Sequence, residues 1–126
     1  MNADYKIAVI EDEPSIRDLY QTKLELEGFV VRTAIDGASG LALIESFQPH
    51  LMLLDLRMPD MNGDEMLQHV RSNDWGADVR VVVMTNISRD EAPSVLRLLG
   101  VDRYVVKAYY TPSQVVDVVR QILHIK

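Results

Sequence analysis

The chain has 126 residues, enough for one domain with one sizeable hydrophobic core. Apolar residues make up 48% and charged residues 25%, an ordinary globular balance, and a formal net charge of −6 argues against direct binding to nucleic acid or anionic lipid. There is no cysteine, which excludes disulfides, thiol nucleophiles and thiolate metal sites.

The start, Met1-Asn2-Ala3-Asp4-Tyr5-Lys6, lacks the basic end and long apolar run of a signal peptide. No later apolar run is long enough to span a bilayer, so the expectation is a soluble cytoplasmic protein. Ile7-Ala8-Val9-Ile10 reads as a strand covered on both faces and stops at Glu11-Asp12-Glu13. Pro14 suits the first turn of a helix, Ile16, Leu19, Tyr20 and Leu24 follow at helical spacing, and Gly28 is a plausible stop. Phe29 to Ala34 reads as a second strand. Asp36 then caps a helix with Ala38, Leu41 and Ala42 on its expected inner face. Leu51-Met52-Leu53-Leu54 is a third buried strand with Asp55 at its carboxyl end. A turn-rich loop from Arg57 to Gly63 precedes a helix that buries Met66, Leu67 and Val70.

Val81-Val82-Val83-Met84 forms the fourth strand, ending at Thr85. A fourth helical segment runs toward Leu99 and stops at Gly100, started late or kinked by Pro93. Val101 to Lys107 is the fifth strand. Thr111-Pro112-Ser113-Gln114 makes a capping box for a last helix lined by Val115, Val116, Val119, Ile122 and Leu123. Five strands alternating with five helices predict an α/β fold, a doubly wound parallel sheet. Its expected strand order is the flavodoxin-like 2-1-3-4-5. The expected organisation is a single domain over residues 1–126 with no output domain in the chain.

In such a sheet, ligands bind beyond the carboxyl ends of the strands, where the strand order switches. Glu11 and Asp12, Asp55, Thr85 and Lys107 occupy those ends. Three carboxylates so close would repel one another unless a cation neutralises them, and Mg²⁺ suits a site with one or two carboxylates, waters and a phosphate oxygen. Calcium fits less well, since the ligand-dense loop it prefers is missing. Taken alone, the acidic run would serve equally well by favouring the positive end of the first helix. Asp55 and Lys107 tip the reading toward a site.

These residues at these strand ends resemble the CheY-like receiver domains of two-component response regulators. The matching pieces are Glu11-Asp12, the stretch Leu54-Asp55-Leu56-Arg57-Met58-Pro59-Asp60-Met61-Asn62-Gly63, then Thr85, Tyr104 and Lys107. The resemblance implies that Asp55 takes a phosphoryl group from a histidine kinase or histidine phosphotransfer protein. It implies Mg²⁺ held by Asp12, Asp55 and the backbone carbonyl of Arg57, with help from Glu11. Lys107 would contact the phosphoryl oxygens. Thr85 would move to one of them, and Tyr104 would turn inward, remodelling the face of the fourth helix, fifth strand and fifth helix toward a downstream protein. Such a domain catalyses only its own phosphorylation and dephosphorylation and is not otherwise an enzyme. It would be a monomer or weak dimer and bind neither nucleic acid nor membrane. Plainer readings stand beside these roles: Thr85 as a strand residue, Lys107 as a surface lysine, Tyr104 as permanent core.

Three departures from the family pattern bear on function. Ala108 follows Lys107 where proline is usual, so the expectation is a bond that is trans, or that exchanges with the phosphorylation state, and a Lys107 less tightly fixed. Asn86 stands where a very small residue is usual. Ile87, two past Thr85, and Arg57, two past Asp55, flank the path of an attacking water, and apolar Ile87 predicts slow loss of phosphate. The rival readings are a flavodoxin, a magnesium-dependent aspartyl phosphohydrolase and a degenerate receiver acting only in interactions. Glu11-Asp12-Glu13 would repel a flavin phosphate, and Arg57 stands where the phosphohydrolases carry a second Asp. The intact acceptor set counts against the degenerate receiver.

Overall fold

The computed structural model describes residues 4–125. Met1 to Ala3, part of the N-terminal segment read above, lie outside the described residues. The strands are β1 (Lys6–Ile10), β2 (Val30–Ala34), β3 (Leu51–Asp55), β4 (Arg80–Thr85) and β5 (Arg103–Val106). The helices are α1 (Pro14–Leu26), α2 (Gly37–Phe47), α3 (Gly63–Arg71) and α4 (Pro112–Leu123). All strand pairs are parallel, in the order β2-β1-β3-β4-β5, as expected from the sequence.

The near-continuous apolar strands are explained by burial on both faces. Side chains alternate across the sheet. Ile7, Val9, Leu51, Leu53, Val82, Met84 and Val105 pack with Tyr20 and Leu24 of α1 and with Val115, Val116 and Val119 of α4. Ala8, Ile10, Met52, Leu54, Val81 and Val83 pack with Ile44 of α2 and with Met66, Leu67 and Val70 of α3.

Local signals start and stop these elements where expected. Asp36 caps α2, accepting from the Ser39 amide at 2.8 Å, and Thr111 caps α4 through Gln114. Gly28 and Gly100 end their segments at φ +95° and +69°, a left-handed backbone that glycine adopts without a Cβ clash.

Four α-helices form among the described residues, not the five expected. Between β4 and β5 the chain makes only 3₁₀ turns, at Arg89–Glu91 and Ser94–Leu98. Pro93 accounts for this. It offers no N–H and disfavours helical backbone at Ala92, and only six residues separate it from Gly100. A nucleus of helix costs more than so short a run recovers. Leu96 still reaches the core from the second turn.

Two helix faces also differ from expectation. In α2, Ala38 and Ala42 are exposed and Leu41 is half-buried, while Gly40, Ile44 and Phe47 face inward. The helix is rotated by about one position. Gly40 permits this, since a Cβ there would meet Met66 Cε at 2.9 Å and Ile10 Cγ2 at 3.1 Å. In α1, Leu19 is half exposed, and Ile16, Tyr20 and Leu24 carry the packing.

The loop after β3 turns back onto the strand it leaves. Gly63 N–H donates to the Leu56 carbonyl at 2.9 Å, and a Cβ on Gly63 would overlap the Asp55 carbonyl oxygen. Backbone cannot yield there as a flexible side chain would. Gly63→Ala should therefore cost about 2 kcal/mol or more, read as a lower urea midpoint at unchanged slope.

Candidate functional site

Register brings the strand ends level. Ile10 pairs with Leu54, so Glu11 and Asp55 leave the sheet side by side. Asp55 pairs with Met84, and Thr85 pairs with Val106, the residue before Lys107. The sequence-predicted residues Glu11, Asp12, Asp55, Thr85 and Lys107 are thus gathered on one rim. Glu11, Asp55 and Thr85 are the buried polar residues of the core. Glu11, Asp12 and Asp55 each present a carboxylate oxygen within 4.8 Å of the others.

Lys107 is the cation of this cluster. Its Nζ lies 2.5 Å from Glu11 Oε1 and 3.5 Å from Asp55 Oδ2. The other Glu11 oxygen accepts the Glu13 amide at 3.2 Å, and Asp55 Oδ1 accepts the Arg57 amide at 3.3 Å. One ammonium facing three carboxylates leaves excess negative charge in a poorly hydrated place. Burial, aided by the Glu11 charge, pushes the Asp55 carboxyl up to about 6 against the pull of Lys107 and the Arg57 amide. Burial and Glu11 likewise raise Asp12. Burial alone would lower Lys107, but its bond to Glu11 and the Asp55 charge outweigh that and raise it.

This donor set fits a small hard cation. It offers carboxylate oxygens on one side, open toward solvent through the partly exposed Asp12. Asp12 and Asp55 would supply the direct ligands, because Lys107 holds Glu11 closely, at 2.5 Å, and Asp55 only at 3.5 Å.

The residues around the rim form a connected path. Thr85 Oγ1 accepts the Ile87 amide at 3.3 Å, and the Tyr104 hydroxyl donates to the Ile87 carbonyl at 2.8 Å. Tyr104 is half-buried against the α2–α3 side of the core. The Arg57 and Asn86 side chains are exposed, and Ile87 is half-buried. No cis peptide bond occurs among the described residues, so Lys107–Ala108 is trans. His50 Nδ1 accepts the Lys6 amide at 3.0 Å.

The face beside β5 departs from expectation, because its fourth helix is replaced by the turns at Arg89–Glu91 and Ser94–Leu98. Leu98, in the second of these turns, is 85% exposed, and Tyr109, after β5, is 80% exposed. Sequence reasoning missed two supports of the site. Gly63 was visible as a turn residue and as the end of the matching stretch, not as the contact that sets the loop on Asp55. Arg17 was not singled out, although its Nη1 donates to the carbonyls of Glu11 and Asp12 at 3.0 and 3.3 Å.

Comparison with known proteins agrees with this geometry. The family model for the response regulator receiver domain matches residues 7–120. Among curated proteins, the DNA-binding dual master transcriptional regulator RpaA of Synechocystis sp. is 34% identical over 82% of this chain and 43% of its own length. The regulatory protein VanRc of Enterococcus gallinarum is 37% identical over 88% of this chain and 46% of its own length. The chain therefore spans about half the length of these relatives. A CheY-like receiver domain protein from Methanospirillum hungatei superposes with a TM-score of 0.87 at 27% identity, covering 95% of this chain and 94% of that one. The receiver domain of the sensor histidine kinase PA1611 from Pseudomonas aeruginosa, solved with magnesium in its active-site cleft, shares the fold with a TM-score of 0.83 at 19% identity, covering 93% and 95%. A five-stranded doubly wound sheet with an acidic rim defines the class. This chain belongs to the response regulator receiver domain family of two-component signalling.

The raised pKa of Asp55 has a signed consequence for stability. In the folded chain the group holds its proton up to about pH 6, whereas unfolded it releases it near 3.8. Stability from this group is thus greatest below pH 4 and is lost as pH rises through 6. Asp55→Asn should remove that loss. In chelator at pH 7.5 the variant should be more stable than wild type by about 1–3 kcal/mol, and the gain should shrink toward pH 4, as read by thermal unfolding across pH.

Proposed function

We propose that the chain accepts a phosphoryl group on Asp55 from a phosphohistidine of a histidine kinase or phosphotransfer protein, in a Mg²⁺-dependent reaction. The observation that carries this reading is the grouping of Asp55 with Asp12 and Glu11 within 4.8 Å, with Lys107 Nζ 3.5 Å from Asp55. An Asp55 carboxylate oxygen attacks phosphorus, the N–P bond breaks, and the electron pair leaves on a phosphohistidine ring protonated at its other nitrogen, so that a neutral imidazole departs. The acyl phosphate is later hydrolysed by water attacking phosphorus, which returns the carboxylate and inorganic phosphate.

The chain's own residues position and neutralise this chemistry. Asp12, Asp55 and the Arg57 carbonyl would hold Mg²⁺, which when bound offsets charge on the transferring oxygens. Lys107 neutralises a further oxygen by exchanging part of its bond with Glu11 for one to phosphate. Thr85 Oγ1 now accepts the Ile87 amide, so its own proton is free to donate toward a phosphoryl oxygen. That movement draws on Ile87, whose carbonyl holds Tyr104. Phosphorylation is thereby coupled to Tyr104 and to the face of Ser94–Leu98, β5 and α4, where a downstream protein would dock. The domain turns over only its own phosphate and works in the cytoplasm as part of a kinase-to-effector relay.

Incubation with acetyl phosphate and Mg²⁺ should add one phosphoryl group by intact mass, absent in Asp55→Asn and after chelation. Failure of the wild type to gain it would refute the reading. Ile87 also shields the bond from water, so Ile87→Ala should speed dephosphorylation about severalfold. An unchanged decay rate of the phosphorylated variant would remove that role.

A further inference from the structure

Asp12 is the most solvent-exposed of the three clustered carboxylates, and it sits in the short connection between β1 and α1. Its direction depends on how that connection is held. Glu13, at the N-cap position of α1, makes no side-chain cap, and the first turn of the helix carries no acidic residue. Of the ordinary devices that fix a helix start, Pro14 at the first position is present, while a side-chain cap and an acidic first turn are missing.

Arg17 supplies a further tie. One nitrogen, Nη1, donates to the Glu11 carbonyl at 3.0 Å and to the Asp12 carbonyl at 3.3 Å. Those carbonyls belong to the two peptide units on either side of the Asp12 Cα. Holding both planes fixes the Asp12 backbone dihedrals, and so the direction in which its carboxylate leaves the chain. The Glu11 amide is tied separately to the Ala34 carbonyl at 3.1 Å, which anchors the upstream end. A cation near the positive end of a helix is placed against the helix dipole. A residue that breaks a local preference is expected where a site requires it.

We infer that Arg17 is a positioning residue for the Mg²⁺ site, acting by clamping the two peptide planes that aim Asp12. This rests on the reading of Asp12 and Asp55 as ligands. Two effects of Arg17 have opposite sign. As a bare positive charge beside an acidic site it would weaken cation binding, so its removal would tighten Mg²⁺. As a clamp it strengthens binding, so its removal loosens Mg²⁺. Groups that orient a ligand without touching the metal commonly change affinity by about 10–100-fold.

The test is Mg²⁺ affinity by calorimetry for wild type, Arg17→Met, Arg17→Lys and Asp12→Ala, with thermal midpoints in chelator measured alongside. Both Arg17 variants should bind Mg²⁺ about tenfold more weakly. Arg17→Lys should do so although it keeps the charge. Asp12→Ala should lose binding altogether. If Arg17→Met does not fold, Arg17→Lys carries the same comparison. Tighter or unchanged Mg²⁺ affinity in the folded Arg17 variants, with Asp12→Ala defective, would overturn this inference alone. A wild-type chain that takes up no Mg²⁺ would overturn it together with the site reading beneath it.

Discussion

The structure turns on an electrostatic imbalance that the fold creates and does not itself resolve. Three carboxylates are brought within 4.8 Å of one another, two of them almost wholly buried, and a single lysine faces them. Ion pairs this dry are poor sources of net stability, because desolvation takes back much of the attraction. Lys107 divides itself between Glu11 and Asp55, and the raised proton affinity of Asp55 and Asp12 expresses what remains. A site in this condition gains from any cation it can seat. Under the proposed function, charge added there as phosphate would shift neighbouring groups.

The sheet is what makes the imbalance tolerable. Strands covered by helices on both faces provide a core of apolar side chains largely closed to solvent, and the parallel register delivers their carboxyl ends to one rim. The loop that returns to Asp55 through Gly63 leaves no slack at that residue. Around the rim, rigidity falls away. The segment from Asn86 to Leu99 is held by the Thr85–Ile87–Tyr104 bonds at one end and by Arg71 at the other, where its guanidinium donates to the Leu99 and Gly100 carbonyls. Between those ties it has only short 3₁₀ turns and the buried Leu96. A segment anchored at its ends and loosely built between them suits a relay of small movements better than a full helix would.

Much of this was legible in the sequence, and for identifiable reasons. Four-residue apolar runs ending abruptly in Glu11, Asp55 or Thr85 give both the strand and its functional end. Capping boxes such as Thr111 to Gln114 are local and need no tertiary context. The missing helix was half visible: Pro93 signalled trouble, but whether a kinked helix or bare turns would follow depended on how few residues remain before Gly100. The rotation of α2 was not legible, because Ala38 and Ala42 are apolar enough to suit either face and only the close approach of Gly40 to Met66 decides between them. Arg17 was hidden for a related reason. Its contacts are with backbone carbonyls five and six residues earlier, and such contacts leave no trace in residue type.

The most direct test of the central imbalance is the proton count that accompanies Mg²⁺ binding, measured by calorimetry in buffers of different ionisation enthalpy at pH 5 and pH 7.5. With Asp55 titrating near 6, Mg²⁺ should displace close to one proton at the lower pH and almost none at the higher. Its affinity should be about tenfold weaker at pH 5. Binding with the same affinity and no proton exchange at either pH would mean that the carboxylates are not in competition, and that the rim is not the strained cation seat described.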